Sequence, residues 1–214
     1  MARDFRAELS HDRCWDAQTE AIFQARGEAI DDAILQNREE LIGLCEFIEA
    51  HQIRSYLEIG AWTGRLACTL HRLFRFDRVA VCDDGYSATF GLPFHLPDGA
   101  HFLQARSESA AFLEWRAQLG AIDLVFIDAN HAYHAVKRDV ETNRVYPHRF
   151  LALHDITGAN RHTLGVRRFW QELEARPPLE AGQPLEGGER IEIVRPHLEL
   201  GLDHSIICLL YTSD

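Results

Sequence analysis

Ser55–Leu70 reads S-Y-L-E-I-G-A-W-T-G-R-L-A-C-T-L, and its reading decides the fold. Tyr56, Leu57 and Ile59 are strand-forming types in a short apolar run that carries Glu58 and stops at Gly60. The spacing of Gly60 and Gly64 predicts a tight turn, after which Leu66, Ala67 and Leu70 begin a helical stripe. Strand, glycine turn and helix open an α/β ligand site, where bare backbone approaches the ligand and a helix N-terminus faces it.

Charge indicates which ligand. A dinucleotide site needs room and positive potential for a pyrophosphate, usually from three glycines with no carboxylate beside them. Here the pattern is E-x-G-x-x-x-G, and Trp62 stands where the middle glycine would lie. Glu58 would repel a phosphate chain but attract a ligand bearing an ammonium and a sulfonium. S-adenosylmethionine (SAM) has both. The plainer reading of the same letters is a strand-end surface carboxylate beside an ordinary turn glycine.

The chain has 214 residues, enough for one domain with a sizeable core at 51–214, preceded by a tail and helical arm over 1–50. Its net charge of −11, without a Lys/Arg cluster, excludes nucleic acid as the expected partner and favours a small-molecule substrate. The five cysteines are widely spaced with no C-x-x-C, the pattern of reduced thiols in a cytoplasmic protein. The N-terminal M-A-R-D-F-R-A-E has no apolar stretch, and no long uncharged run follows, so neither a signal peptide nor a membrane span is expected.

Along the chain, residues 1–14 read as a loose tail. Apolar residues at helical spacing predict a helix from Asp16 to about Leu35 and a second through Leu41, Leu44, Cys45 and Ile48. These helices would cover one sheet face and could support a homodimer. Further strands are expected at Arg78–Asp84, His101–Gln104, Ile122–Ile127, Phe150–Leu153, Ile191–Val194 and Ile206–Leu210. Helices are expected at about Glu108–Leu119, through Val136 and Val140 to about Val145, and from Thr163 through Leu173. The result is a doubly wound, seven-stranded, mostly parallel sheet with an antiparallel edge. Between strands two and three, Gly85–Gly99 is broken by glycine and proline yet rich in aromatics, as expected of a loop that covers a ligand.

The residues at the carboxyl ends of the strands are Glu58, Asp83, Ser107, Asp128 and the pair His154–Asp155. In open α/β sheets these ends converge on one crevice. Asp83 follows Glu58 at roughly the 20-residue interval, or a little more, at which a carboxylate meets ribose hydroxyls. Asp84 is left without a role. Asp128 opens D-A-N-H-A-Y-H, which with His154 and Asp155 offers ligands for a divalent cation. Mg²⁺ suits carboxylates, whereas more imidazole favours Mn²⁺, Fe²⁺ or Zn²⁺. His131 is a candidate general base. The plainer alternatives make Asp128 the cap of the next helix and His154 a satisfied strand-end histidine.

With these pieces assembled, the chain resembles the class I SAM-dependent methyltransferases, most of all the small bacterial group allied to cephalosporin-hydroxylase-like and macrocin-type O-methyltransferases. The matching stretches are Y-L-E-I-G-A-W-T-G, V-A-V-C-D-D, D-L-V-F-I-D-A-N-H-A-Y-H-A-V-K-R-D-V, F-L-A-L-H-D-I and G-V-R-R-F-W-Q-E-L. The resemblance implies a Rossmann-like sheet of order 3-2-1-4-5-7-6 with strand 7 antiparallel. It implies that Glu58 and the backbone of Gly60, Ala61, Trp62 and Gly64 hold the methionine part of SAM, Asp83 the ribose, and that Ser107 lies near the adenine. A metal, where relatives use one, would sit at Asp128, His154 and Asp155, with Mg²⁺ or Mn²⁺ expected. Arg106 stands where relatives often carry an acidic residue, Asn130 replaces a common Asp, and His154 stands where some relatives place a carboxylate.

The expected activity is methylation of a small-molecule hydroxyl, with Asp128 and His131 as catalytic residues. A nicotinamide-dependent oxidoreductase on the same sheet, a non-catalytic SAM-binding subunit and a metal oxygenase are the alternatives.

Overall fold

The structure, a computed structural model, describes residues 3–15, 32–156, 163–175 and 208–211. Five strands run parallel: β1 (Ser55–Ile59), β2 (Arg78–Asp83), β3 (His101–Gln104), β4 (Ile122–Ile127) and β5 (His148–Leu153). With β6 (Cys208–Tyr211), paired antiparallel to β5, the order is β3-β2-β1-β4-β5-β6. The expected strand at Ile191–Val194 lies outside the described residues, so the sheet described has six strands rather than seven.

The helices are α1 (Phe5–Glu8), α2 (Arg38–Ala50), α3 (Arg65–Phe74), α4 (Ala110–Leu119), α5 (Tyr133–Arg144) and α6 (Leu164–Glu174). Strand alternation divides the core in two. Tyr56, Phe126 and Phe150 point to one face, where α1, α2 and α3 bring Phe5, Leu41, Leu44 and Leu70. Leu57, Val125 and Leu151 point to the other, against Phe112 of α4, Val136 of α5 and Phe169 and Trp170 of α6. Helices therefore cover both faces of the sheet, as doubly wound topology requires.

Two expectations at the N-terminus are corrected. Residues 3–15 are not a loose tail, because Phe5, Leu9 and Cys14 are buried in the same core as α2 and α3. The helix expected to reach Leu35 does not include residues 32–35: Ile34 forms a parallel bridge with Cys14, and residues 16–31 lie outside the described set. A backbone pairing between distant segments has overridden local helical periodicity here. Asn37 then caps α2 by accepting from the Glu39 amide.

Gly60 is a tight junction at the end of β1. Its N–H donates to Cys82 O at 2.8 Å, while the Asp128 N–H donates to Ile59 O at 2.9 Å, so three strand ends meet at one residue. Its φ is +83°, and a Cβ there would lie 2.3 Å from Asp128 O. Gly60→Ala is expected to destabilise the fold by at least ~2 kcal/mol through clash and left-handed strain. Urea unfolding checks this, and an unchanged midpoint would refute the close approach.

Candidate functional site

A cavity of about 450 Å³ opens where the strands end, bounded by the turns after β1 to β4 and by residues 33–36. Its floor is built from carboxylates. Glu58 is 2% exposed and lies in the middle of the sheet, beside Val81 on β2 and Phe126 on β4. It accepts from the Tyr56 hydroxyl at 3.1 Å. Burial pushes its carboxyl well above the ordinary range, the Tyr56 and Ala67 donors oppose this, and the nearby Asp128 and Asp83 reinforce it. No cation faces Glu58 among the described residues.

Asp83 acts on the backbone as well as facing the cavity. Its Oδ2 accepts from the amides of Ala61 at 2.9 Å and Trp62 at 3.0 Å, and its Oδ1 accepts from Gly85 at 2.7 Å. The Asp83 carboxylate thereby clamps the glycine turn, in which Trp62 holds φ +55°, a costly conformation for a bulky residue. Burial raises the Asp83 carboxyl although all three amides oppose it. Ser107 lines the cavity and donates to Asp139 Oδ1 at 2.7 Å, and burial pushes Asp139 up to about 6.

The tips of β4 and β5 bring together the four polar residues that the sequence singled out there. Asp128 Oδ1 lies 3.1 Å from His131 Nε2 and 3.4 Å from His154 Nδ1. Asp155 Oδ2 lies 3.4 Å from His131 Nδ1, and its Oδ1 lies 3.6 Å from His154 Nδ1. Burial would raise the Asp128 carboxyl, but His154 and His131 hold it well below the usual carboxylate range. Burial lowers both imidazoles, yet Asp128 and its neighbours carry them above their ordinary value. Asp128 does not cap α5: Ala132 occupies that position with no side-chain cap, and Asn130 accepts from the Ala132 amide instead.

One oxygen or nitrogen from each of Asp128, His131 and Asp155 lies within 4.8 Å of the others, which fits a divalent cation. His131 thus takes the place in this trio that the sequence reading gave to His154. His154 sits deeper, 5% exposed, with neither ring nitrogen hydrogen-bonded, and its Nε2 is 3.6 Å from Glu40 Oε2.

Two residues of this cluster had no signal in the sequence. Gln36 donates from Nε2 to Asp128 Oδ2 at 2.9 Å, and Glu40 projects from the first turn of α2 toward His154. Both come from the N-terminal segment, which therefore forms part of the site.

The Gly85–Gly99 stretch is anchored rather than free. The His95 N–H donates to Thr63 O at 2.8 Å, and a Cβ on Gly64 would lie 1.9 Å from His95 O. Its first turn, a 3₁₀ helix at Tyr86–Phe90, places Tyr86 and Phe90 6.3 and 5.6 Å from the Trp62 ring centroid. Both rings are substantially exposed, and Tyr86 lines the cavity.

Residues 57–156 match a family model described as a methyltransferase domain. No curated protein matches the chain. Among solved structures, it is similar to the O-methyltransferase TomG of Streptomyces achromogenes, involved in tomaymycin synthesis and solved with SAM. That match has 16% identity, covers 97% of this chain and 95% of the other, and has a TM-score of 0.54. An O-methyltransferase of Bacillus cereus, solved with S-adenosylhomocysteine (SAH), matches at 14% identity, 97% and 96% coverage and TM-score 0.55. The SAH-bound methyltransferase PaMTH1 of Podospora anserina matches at 15%, 96% and 92% coverage and 0.58. At these identities the likeness to the three structures is one of fold.

Glu58 supplies a stability test. Its folded carboxyl titrates above the unfolded one, so the ligand-free fold loses stability as pH rises above about 4.5. Glu58→Gln is expected to be more stable than the native chain at pH 8, the gain vanishing below the ordinary carboxyl range. Denaturant titrations at both pH values measure it, and a destabilised variant at pH 8 would contradict the buried, unpaired placement.

Proposed function

We propose that this chain, which resembles the class I SAM-dependent methyltransferases, transfers the methyl group of SAM to a hydroxyl of a small molecule. One observation carries the reading: a buried carboxylate, Glu58, stands without a cation among the described residues, beside a turn of bare backbone at the meeting of three strand ends. That site suits an ammonium and a sulfonium and disfavours a pyrophosphate. It therefore also weighs against nicotinamide chemistry.

When bound, SAM supplies an electrophilic methyl group, whose S–C bond breaks as an O–C bond forms, leaving SAH. The chain's residues place and prepare the partners. Glu58 meets the ammonium, and the Gly60–Gly64 backbone lies along the methionine part. Asp83 Oδ1, which among the described residues takes only the Gly85 amide, keeps acceptor capacity for a ribose hydroxyl. Ser107, with its proton committed to Asp139, presents lone pairs toward the adenine.

Rate comes chiefly from alignment of the two partners in the crevice. His131 takes the hydroxyl proton after Nδ1 parts from Asp155, the longer of its two carboxylate contacts. Asp128, fixed by Gln36 and His154, orients that ring. In a metal-loaded form His131 would be a ligand instead of the base: Asp128, His131 and Asp155, backed by His154, would hold a Mg²⁺ or Mn²⁺ ion, whose charge would lower the pKa of a bound hydroxyl.

Calorimetric titration with SAM and NADH side by side tests the assignment. SAM is expected to bind and NADH is not; the reverse would overturn the proposal. Glu58→Gln should weaken SAM by ~1.5–3 kcal/mol, the worth of one charge-assisted hydrogen bond. His131→Gln should slow SAH formation with an accepted hydroxyl compound by ~10²–10⁴-fold while SAM affinity stays within about twofold. A rate unchanged in that variant removes His131 as the base.

A further inference from the structure

We propose that Asp139 is a positioning residue for the cofactor's base: by holding the Ser107 proton it leaves that hydroxyl only acceptor lone pairs, so the base is read by its 6-amino group. This rests on the methyl-transfer reading above, in which Ser107 faces the adenine. Ser107 lines the cavity, while Asp139, on α5, is 1% exposed. Ser107 Oγ donates to Asp139 Oδ1 at 2.7 Å. A serine hydroxyl has one proton and two lone pairs. With the proton spent on an ionised carboxylate, Ser107 can accept from a ligand but cannot donate to it. In the adenine of SAM the exocyclic amino group is the only N–H donor. Ser107 in this state therefore suits the amino group and repels a ring nitrogen.

The surroundings of Asp139 make this state reversible. Burial raises its carboxyl to about 6, against the Ser107 hydrogen bond and Arg138, with Glu108 assisting the rise. Arg138 lies 3.5 Å from Glu108, which also lies 2.9 Å from Arg106, so the nearby charges largely hold one another. The Cys82 thiol on β2, pushed up to about 12, stays neutral beside Asp139.

Where a proton would settle follows from the hydrogen bonds. Asp139 Oδ2 is buried with no hydrogen-bond partner among the described residues. A proton on Oδ2 would be a buried donor without an acceptor, whereas on Oδ1 it lies opposite the Ser107 oxygen. Protonated Asp139 then donates to Ser107, and the displaced serine proton turns to the ligand. Ser107 becomes a donor suited to ring nitrogens, which adenine shares with every purine. The preference for the amino group is thus present above the Asp139 range and lost as pH falls through it.

Calorimetry on the intact chain compares SAH with an analogue carrying unsubstituted purine in place of adenine. The two share their ribose and amino-acid parts, so titrations elsewhere in the cavity cancel in the ratio of affinities. At about pH 8 the native chain should favour SAH by at least about tenfold, the cost of leaving the Ser107 acceptor unpaired. Near pH 5 the ratio should fall to within about twofold, since Asp139 is then mostly protonated. Ser107→Ala should show the low ratio at both pH values. Asp139→Asn cannot ionise, so its ratio should not change with pH. The proposal is overturned if the native ratio is near unity at the higher pH, or if it persists unchanged at the lower. It is also overturned if Asp139→Asn keeps the native pH dependence. Should a variant fail to fold, the native profile alone decides. Binding of neither compound to the native chain would instead remove the methyl-transfer reading beneath the proposal.

Discussion

Three backbones cross at Gly60 in a space that admits no side chain, and the site inherits its geometry from that crossing. The Gly60 amide is tied to β2 and the neighbouring Ile59 carbonyl to the start of the turn after β4. The ends of β1, β2 and β4 are therefore held in register, and the groups they carry face one cavity. Asp83 completes the arrangement by gripping the amides of Ala61 and Trp62, which stabilises a left-handed Trp62 that the turn alone would not favour. A rigid turn of exposed amides beside a buried carboxylate follows from these contacts, before any ligand is considered.

The electrostatics of the cavity follow from burial. Glu58, Asp83 and Asp139 are all pushed upward by desolvation, whereas Asp128 is driven down because two imidazoles lie against it. Carboxyls at one end of the sheet are thereby given opposite tendencies. Those raised are suited to meeting a cation or sharing a proton. The one lowered stays ionised and can orient a neighbouring ring.

Much of this was legible in the sequence because the parallel strands are nearly continuous apolar runs with polar punctuation. Strands His101–Gln104 and Ile122–Ile127 fall where the pattern places them, and the strand-end residues Glu58, Asp83, Asp128, His154 and Asp155 do gather at one end of the sheet. The N-terminus was not legible. Phe5 and Leu9 are isolated apolar residues in a polar stretch, and their burial depends on α2 and α3 lying above them. Gln36 and Glu40 reach Asp128 and His154, which are distant in sequence, so no local spacing marks them. The backbone clamp formed by Asp83 was hidden for a related reason: a carboxylate at a strand end reads alike whether it faces a sugar or a turn.

The contact between His95 and the glycine turn bears on how such a chain can be re-engineered. Because the His95 carbonyl occupies the volume where a Gly64 side chain would stand, and its amide is bound to Thr63, the loop and the glycine turn form one mechanical unit. Chimeras that exchange only the loop would break that fit unless the donor segment brings a backbone of the same course opposite the glycine. Transplanting both pieces together is the modular cut the architecture permits.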